Sequence, residues 1–267
     1  MRFERVPLCS DNNTAYMDAY IADPIQGLTR KAILVIAGGA YSTVCAGREG
    51  EPIAMAFLAH GYNAFVLNYT VDRVHTFPRQ LIEASEAICY IRDHAQEYGI
   101  DPEQVFAVGF SAGGHLCASL GALWKLDAVQ HAIERPHGYN RPKGVMLIYP
   151  VISGKFTNGG TFQNLWATDK LTAEQIAQSS IENHIDKDSA PAFIVHTAND
   201  QVVNVNNALV AASAYSKAGV PFELHIFPDA PHGVALGNHI TACGNPGWDR
   251  PNIAEWVRLA AVWADKL

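Results

Sequence analysis

The sequence predicts an α/β fold, a doubly wound and mostly parallel sheet, on three observations. Short β-branched and aromatic runs alternate with amphipathic helical stretches from residue 31 onward. One run, Val105-Phe-Ala-Val-Gly-Phe110, breaks through a small-residue turn into an apolar helix. Two later runs each end in a loop that carries a candidate catalytic residue, Asp200 or His232.

The elements follow in order. Ala15-Tyr-Met-Asp-Ala-Tyr-Ile21 alternates polar and apolar positions, as an antiparallel edge strand does. Strands are expected at 31–37 and 63–69, with a helix over 51–60 between them. A long helix is expected from Pro78 to Tyr98. There Leu81, Ala84, Ile88, Ile91, Ala95 and Tyr98 recur at spacings of three and four, Pro78 suits the first turn, and Gly99 the stop. Further strands at 105–110, 144–149, 191–197 and 221–227 alternate with the helix after residue 110 and with helices near 205–218 and 251–265. The segment 153–189 interrupts this rhythm with Phe162, Trp166 and a Thr172-x-x-Gln175 capping box. An insertion at the carboxyl side of the sheet is expected to form a lid, the competing reading being a surface excursion with its own small core. The whole chain, 1–267, is expected to be a single domain.

Composition narrows the function. With 49% hydrophobic residues the chain can fill a core, and a net charge of −7 with scattered Lys and Arg argues against nucleic acid and anionic membrane as partners. The start, Met-Arg-Phe-Glu-Arg-Val-Pro, has no apolar signal core, and no apolar run approaches the roughly 18 residues of a membrane span, so a cytoplasmic location is expected. Cysteines at 9, 45, 89, 117 and 243 form an odd set without a C-x-x-C pair, which argues against disulfides and structural zinc and for small core fillers. The histidines include no H-E-x-x-H, and neither a metal nor another cofactor is expected.

The chemistry centres on Ser111. The turn Gly109-Phe-Ser-Ala-Gly113 has the G-x-S-x-G form that forces a serine into a crowded conformation and exposes its hydroxyl, with only small neighbours tolerated. Asp200, 89 residues on, and His232, 32 residues further, complete the order Ser, Asp, His. The run Ala37-Gly-Gly-Ala-Tyr41 after the strand at 31–37 offers backbone donors for an oxyanion: Gly39 and Ala40, joined by Ala112 after the serine. Tyr41, Phe162 and Trp166 are expected to close the acyl side of the substrate pocket. Each residue also has a plainer reading: Ser111 as a helix start, Asp200 as a helix cap, and His232 as a loop histidine, with Asp186, Asp188 and Asp229 as rival acids. His115 reads as packed and hydrogen-bonded rather than as a second base.

These motifs resemble those of serine esterases of the α/β-hydrolase superfamily, in the hormone-sensitive-lipase-like and acetylxylan-esterase-like branch. That branch carries H-G-G-G or P-G-G-G at the oxyanion loop, G-x-S-A-G-G at the elbow and P-H-G at the histidine. The likeness extends to Tyr41, Arg48-Glu-Gly-Glu-Pro52, Asn68-Tyr69, Phe77-Pro78, Gly99-Ile-Asp-Pro102 and Phe227-Pro-Asp-Ala-Pro-His-Gly233, over roughly residues 30 to 265. Ala37 stands where the family has His or Pro, and Ala40 where it has a third glycine. A backbone donor survives that change to alanine only where the local φ is negative, which makes Ala40 the least secure of the three oxyanion residues. The resemblance implies a short-chain carboxylic ester as the small-molecule substrate, an acetyl group on a sugar being the leading form, with a homodimer as a possible assembly. Two alternatives share the pattern: a peptidase like the catalytic domain of prolyl oligopeptidase, and a non-catalytic binding module on a hydrolase scaffold. A binding module typically loses a triad residue, and this chain keeps all three.

Overall fold

Eight strands form one sheet in the computed structural model, in the order β1-β2-β4-β3-β5-β6-β7-β8. They are β1 (Arg2–Pro7), β2 (Tyr16–Ile21), β3 (Arg30–Ile36), β4 (Tyr62–Asn68), β5 (Ile100–Phe110), β6 (Val145–Ile148), β7 (Ala192–Thr197) and β8 (Phe222–Phe227). The β1–β2 and β2–β4 pairs are antiparallel and all others parallel. The structure describes residues 1–8, 14–157 and 160–267. Cys9 and the Asn158-Gly159 pair of the insertion lie outside the described residues.

The period of two along each strand sorts the core into two layers. In β3, Ala32, Leu34 and Ile36 join the apolar cluster on one face, while Ile33 and Val35 join the other. The central strands β5, β6 and β7 divide in the same way, which is why they read as continuous apolar runs. Helices Arg79–Asp93, Ser111–Ala122 and Asn206–Ala218 cover the first face, and Glu51–Ala59 and Trp256–Ala264 the second. Burying one fully enclosed side chain such as Phe106, Phe110 or Phe193 contributes about 1.5–3 kcal/mol.

The helix that follows β3 (Glu51–Ala59) and the helix that follows β5 (Ser111–Ala122) lie on opposite faces, so the chain leaves these two neighbouring strands in opposite directions and a crevice opens at their carboxyl ends. Segment 153–189 shares the main core: Phe162, Leu165 and Ile181 belong to the same cluster as the helix Ser111–Ala122, and among the described residues the segment forms no separate satellite core.

Some boundaries differ from the sequence expectation. The helix expected from Pro78 to Tyr98 breaks at His94, whose backbone N–H and Nδ1 both engage the Tyr90 carbonyl, at 3.1 and 2.9 Å. Ala95 and Tyr98 nevertheless remain buried, so the apolar periodicity persists across the break. The helix expected at 251–265 divides at Glu255. Strand β1 went unread because only Val6 of its six residues is buried. It is held by register and by Arg5, which pairs with Asp18 at 2.7 Å and lies over the Tyr16 ring.

Candidate active site

Ser111 stands directly after β5 at φ 51°, in the left-handed region that non-glycine residues rarely occupy. The small residues around it are required by contact: a Cβ at Gly109 would meet the Gly113 carbonyl oxygen at 2.2 Å, and one at Gly113 would meet the Ile36 carbonyl oxygen at 2.2 Å. The elbow helix thus packs its first turn against the end of β3.

The loops after β7 and β8 bring the other two residues to it. His232 Nε2 lies 2.9 Å from Ser111 Oγ, and His232 Nδ1 lies 2.7 Å from Asp200 Oδ2. The second Asp200 oxygen accepts from Val202 N–H at 2.8 Å and Val203 N–H at 2.9 Å. Burial by itself would raise the Asp200 carboxyl, but the His232 bond and charge and the two backbone N–H groups outweigh it and hold the pKa below the ordinary value. The two loops are also tied to each other, since Thr197 Oγ1 donates to the Ala230 carbonyl at 3.0 Å and Ala230 N–H donates to Asn199 Oδ1 at 3.1 Å.

The loop after β3 turns its carbonyls into the protein. The Gly39 carbonyl accepts from Ser42 and Thr43 N–H, the Gly38 carbonyl from Cys45 N–H, and the Ala40 carbonyl from Asn164 Nδ2 at 2.9 Å. Gly39 and Ala40 line the crevice beside Ser111. Ala112 lies in the first turn of the elbow helix, where N–H groups have no intrahelical acceptor. The condition of negative φ at Ala40 is not met: Ala40 stands at φ 54° and Tyr41 at φ 55°. Each costs roughly 1–2 kcal/mol of backbone strain, which the surrounding bonds offset.

Two crevices meet at Ser111. The larger, about 660 Å³, is lined by Gly39, Cys45, Arg48, Glu49, His232 and Cys243 among others. The smaller, about 420 Å³, is lined by Val151, Thr157, Thr161, Asn164 and Gln201, and it shares Ala40, Ser111 and Val202 with the first. Two of the cysteines read as core fillers therefore face the site, while Cys89 and Cys117 are buried.

The three aromatic residues expected in the pocket line neither crevice. Tyr41 is 3% exposed, and its hydroxyl meets His115 Nδ1 at 2.8 Å. Phe162 packs on the His115 ring at 5.1 Å, and Trp166 donates to Ser179 Oγ at 2.8 Å while packing on Phe77. Their apolar surface belongs to the core beneath the loop and not to either crevice. His115 is buried as expected, with Nε2 on the Ser179 carbonyl at 2.8 Å.

Sequence reasoning gave no role to Glu49 or Tyr149, which stand against the triad. Tyr149 follows β6 at φ 38° with its ring 5.1 Å from the His232 ring, and its hydroxyl donates to Glu49 Oε1 at 2.8 Å. The signal in the chain for Glu49 was the run Arg48-Glu-Gly-Glu-Pro52, which carried the family likeness without a role for the carboxylate. Among the described residues, no group of three or more His, Cys, Asp or Glu side chains is placed to hold a metal, and no helix is long and apolar enough to cross a membrane.

A family model described as BD-FAE matches residues 17–214. The endo-1,4-beta-xylanase B of Butyrivibrio fibrisolvens is 37% identical over 78% of this chain and 33% of its own length. The acetylxylan esterase of Xylanibacter ruminicola is 28% identical over 85% of this chain and 45% of its own length. This chain thus spans a third to somewhat under half of these relatives. Among solved structures, the acetyl ester-xyloside bifunctional hydrolase of Caldicellulosiruptor lactoaceticus superposes with a TM-score of 0.84 at 31% identity, covering 99% of this chain and 96% of that one. The carboxylesterase Cest-2923 of Lactobacillus plantarum gives 0.87 at 26% identity, covering 100% and 98%. The fold is that of the α/β hydrolases.

Proposed function

This chain belongs to the BD-FAE family, and from that premise we propose that it is a serine carboxylesterase that removes short acyl groups, chiefly acetyl, from acylated sugars through an acyl-enzyme. The observation that carries the reading is the continuous chain from Ser111 Oγ through His232 to Asp200, opening into two crevices of different character. The relatives named as acetylxylan esterase and acetyl ester-xyloside hydrolase support the acetyl-sugar form.

Ser111 Oγ attacks the acyl carbon while His232 Nε2 takes its proton, and Asp200 holds Nδ1–H and favours the imidazolium. The carbonyl oxygen, now negative, faces the N–H groups of Gly39, Ala40 and Ala112. His232 then returns the proton to the alcohol oxygen as the C–O bond breaks. Water, deprotonated by the same histidine, cleaves the acyl-enzyme and restores Ser111. The leaving oxygen must lie within reach of His232, so the larger crevice, which His232 lines, takes the alcohol part. The smaller crevice, which His232 does not line, takes the acyl group.

The test is release of acetate from acetylated xylose and from p-nitrophenyl acetate, set beside release of amine from aminoacyl p-nitroanilides. Turnover of the acetyl esters that disappears in Ser111→Ala is expected. Faster cleavage of the anilides would favour a peptidase, and turnover of neither would favour a binding module.

A further inference from the structure

We infer that Glu49 is a second carboxylate of this site, a positioning residue that holds the oxyanion loop and the His232 loop together and whose negative charge supports His232 as it becomes imidazolium. This rests on the serine-esterase reading for its effect on rate, though not for its effect on His232 itself.

Glu49 is 5% exposed, and its two oxygens reach the two loops that the reaction needs, one directly and the other through Tyr149. Oε2 accepts from Gly38 N–H at 2.8 Å, which fixes the peptide immediately before the Gly39 and Ala40 donors. Oε1 accepts from Tyr149 Oη at 2.8 Å. That hydroxyl is itself an acceptor for Ala235 N–H at 3.0 Å, so its own proton is directed to Glu49. Ala235 is three residues beyond His232, and the Tyr149 ring stands edge-on to the His232 ring at 5.1 Å. One buried side chain therefore restrains the loop of the donors and the loop of the base.

The carboxylate also stands close to the nucleophile. A Cβ at Gly38 would lie 2.9 Å from Glu49 Oε2 and 2.9 Å from Ser111 Cβ, so the two flank one backbone position. A Cβ at Gly233, next to His232, would lie 4.0 Å from Glu49 Oε1. Both contacts to Glu49 are donated to it and none requires its proton, which suits the ionised form. Burial raises its pKa, against which Gly38 N–H, Tyr149, His232 and Arg48 act.

The other titratable groups facing the pair are accounted for. Cys45, Tyr69 and Tyr149 face Glu49, and burial raises all three, so they stay neutral near pH 7. His196 faces His232 and Asp200, and burial lowers it, so it too stays neutral. Arg48 is the cation beside Glu49, and its guanidinium lies 3.7 Å from the centre of the Trp248 ring. The charges acting on His232 are thus Asp200 and Glu49, with Arg48 in partial opposition. Two carboxylates around one imidazole favour its protonated form more than one does.

The experiment compares wild type with Glu49→Gln, which keeps the shape and removes the charge. In an NMR titration of the His232 ring, its pKa should fall by about half a unit or more in the variant. On p-nitrophenyl acetate, kcat should fall roughly tenfold, and the acidic limb of kcat/KM should move to lower pH by the same shift. An unmoved His232 titration in folded Glu49→Gln would overturn the proposal. So would a lower kcat with the acidic limb in place, since a purely structural acceptor gives that result. Should Glu49→Gln fail to fold, Tyr149→Phe carries the test: it should lower kcat several-fold at unchanged KM and leave the limb where it is, and an unaltered kcat would overturn the positioning role. If wild type itself hydrolyses no ester, the esterase reading fails while the His232 titration still decides the role of Glu49.

Discussion

Asn164 Nδ2 donates to the carbonyl oxygen of Ala40 at 2.9 Å, which fastens segment 153–189 to the loop that presents the oxyanion donors. Ala40 and Tyr41 both occupy left-handed backbone, and a strained pair persists only where neighbours over-determine it. Asn164 holds the first and His115, bonded to the Tyr41 hydroxyl, holds the second. In Asn164→Ala the Ala40 peptide should turn more freely, so kcat should fall about tenfold with KM nearly unchanged. Steady-state kinetics on p-nitrophenyl acetate measure this. A rise in KM alone would assign Asn164 to substrate contact instead.

Replacing Ser111 by Ala should leave the melting temperature near that of wild type and reduce ester hydrolysis to background, because the covalent route needs that hydroxyl. Asp200→Asn should lower turnover by about 10⁴, since an amide cannot hold the imidazole in the same tautomer. Asp229 serves as the control, and a severe loss in Asp229→Asn with a mild one in Asp200→Asn would move the acid.

Each proton transfer in the proposed reaction is assigned to Ser111, His232 or water. Hydrolysis should therefore proceed at an unchanged rate after dialysis against EDTA. Loss on chelation with rescue by zinc would require a different mechanism.

How much of this was legible depends on what each residue's signal is made of. Ser111, Asp200 and His232 each follow a strand-like run, so chain order and period carry their placement. Glu49 and Tyr149 act through contacts between loops far apart in sequence, and no local pattern encodes a pairing across 100 residues. Tyr41, Phe162 and Trp166 were misplaced because an aromatic residue beside a loop looks the same whether it faces a crevice or the core. The φ at Ala40 was not legible for a related reason: part of what offsets its strain comes from Asn164, 124 residues away. Strand β1 escaped notice because an edge strand with one buried side chain has almost no apolar alternation.

His115 makes stability depend on pH. Burial pushes its imidazole down to about 4, so the folded protein keeps it neutral where an unfolded chain, with a pKa near 6.5, already binds a proton. The unfolded state then holds more protons, and its contribution to stability is complete above about pH 6.5 and is lost as pH falls toward 4. The loss is on the order of 3 kcal/mol. Urea midpoints across that window, in wild type and His115→Gln, measure it. The variant should show a shallower decline, and parallel declines would mean that other groups set the acid sensitivity.

Acyl-chain preference follows from the smaller crevice. Each methylene entering an apolar pocket is worth about 0.8 kcal/mol, which would favour long chains. Thr157, Thr161, Asn164 and Gln201 line this one, and an alkyl chain laid across them removes water from hydroxyl and amide groups without replacing its hydrogen bonds. That penalty, roughly 1–3 kcal/mol per group, cancels the gain after a few carbons. We expect the highest kcat/KM for acetyl to butyryl esters and a fall by octanoyl. Thr161→Val keeps the volume and removes one hydroxyl, so it should improve hexanoyl over acetyl by about fivefold. Tyr41→Ala should leave the preference where it is and instead lower stability by about 3–5 kcal/mol, the scale of emptying a buried aromatic site. A p-nitrophenyl ester series on the three proteins decides between them. A wild-type optimum at eight carbons or more would mean that the acyl chain takes the larger crevice, and a longer optimum in Tyr41→Ala would return that ring to the pocket wall.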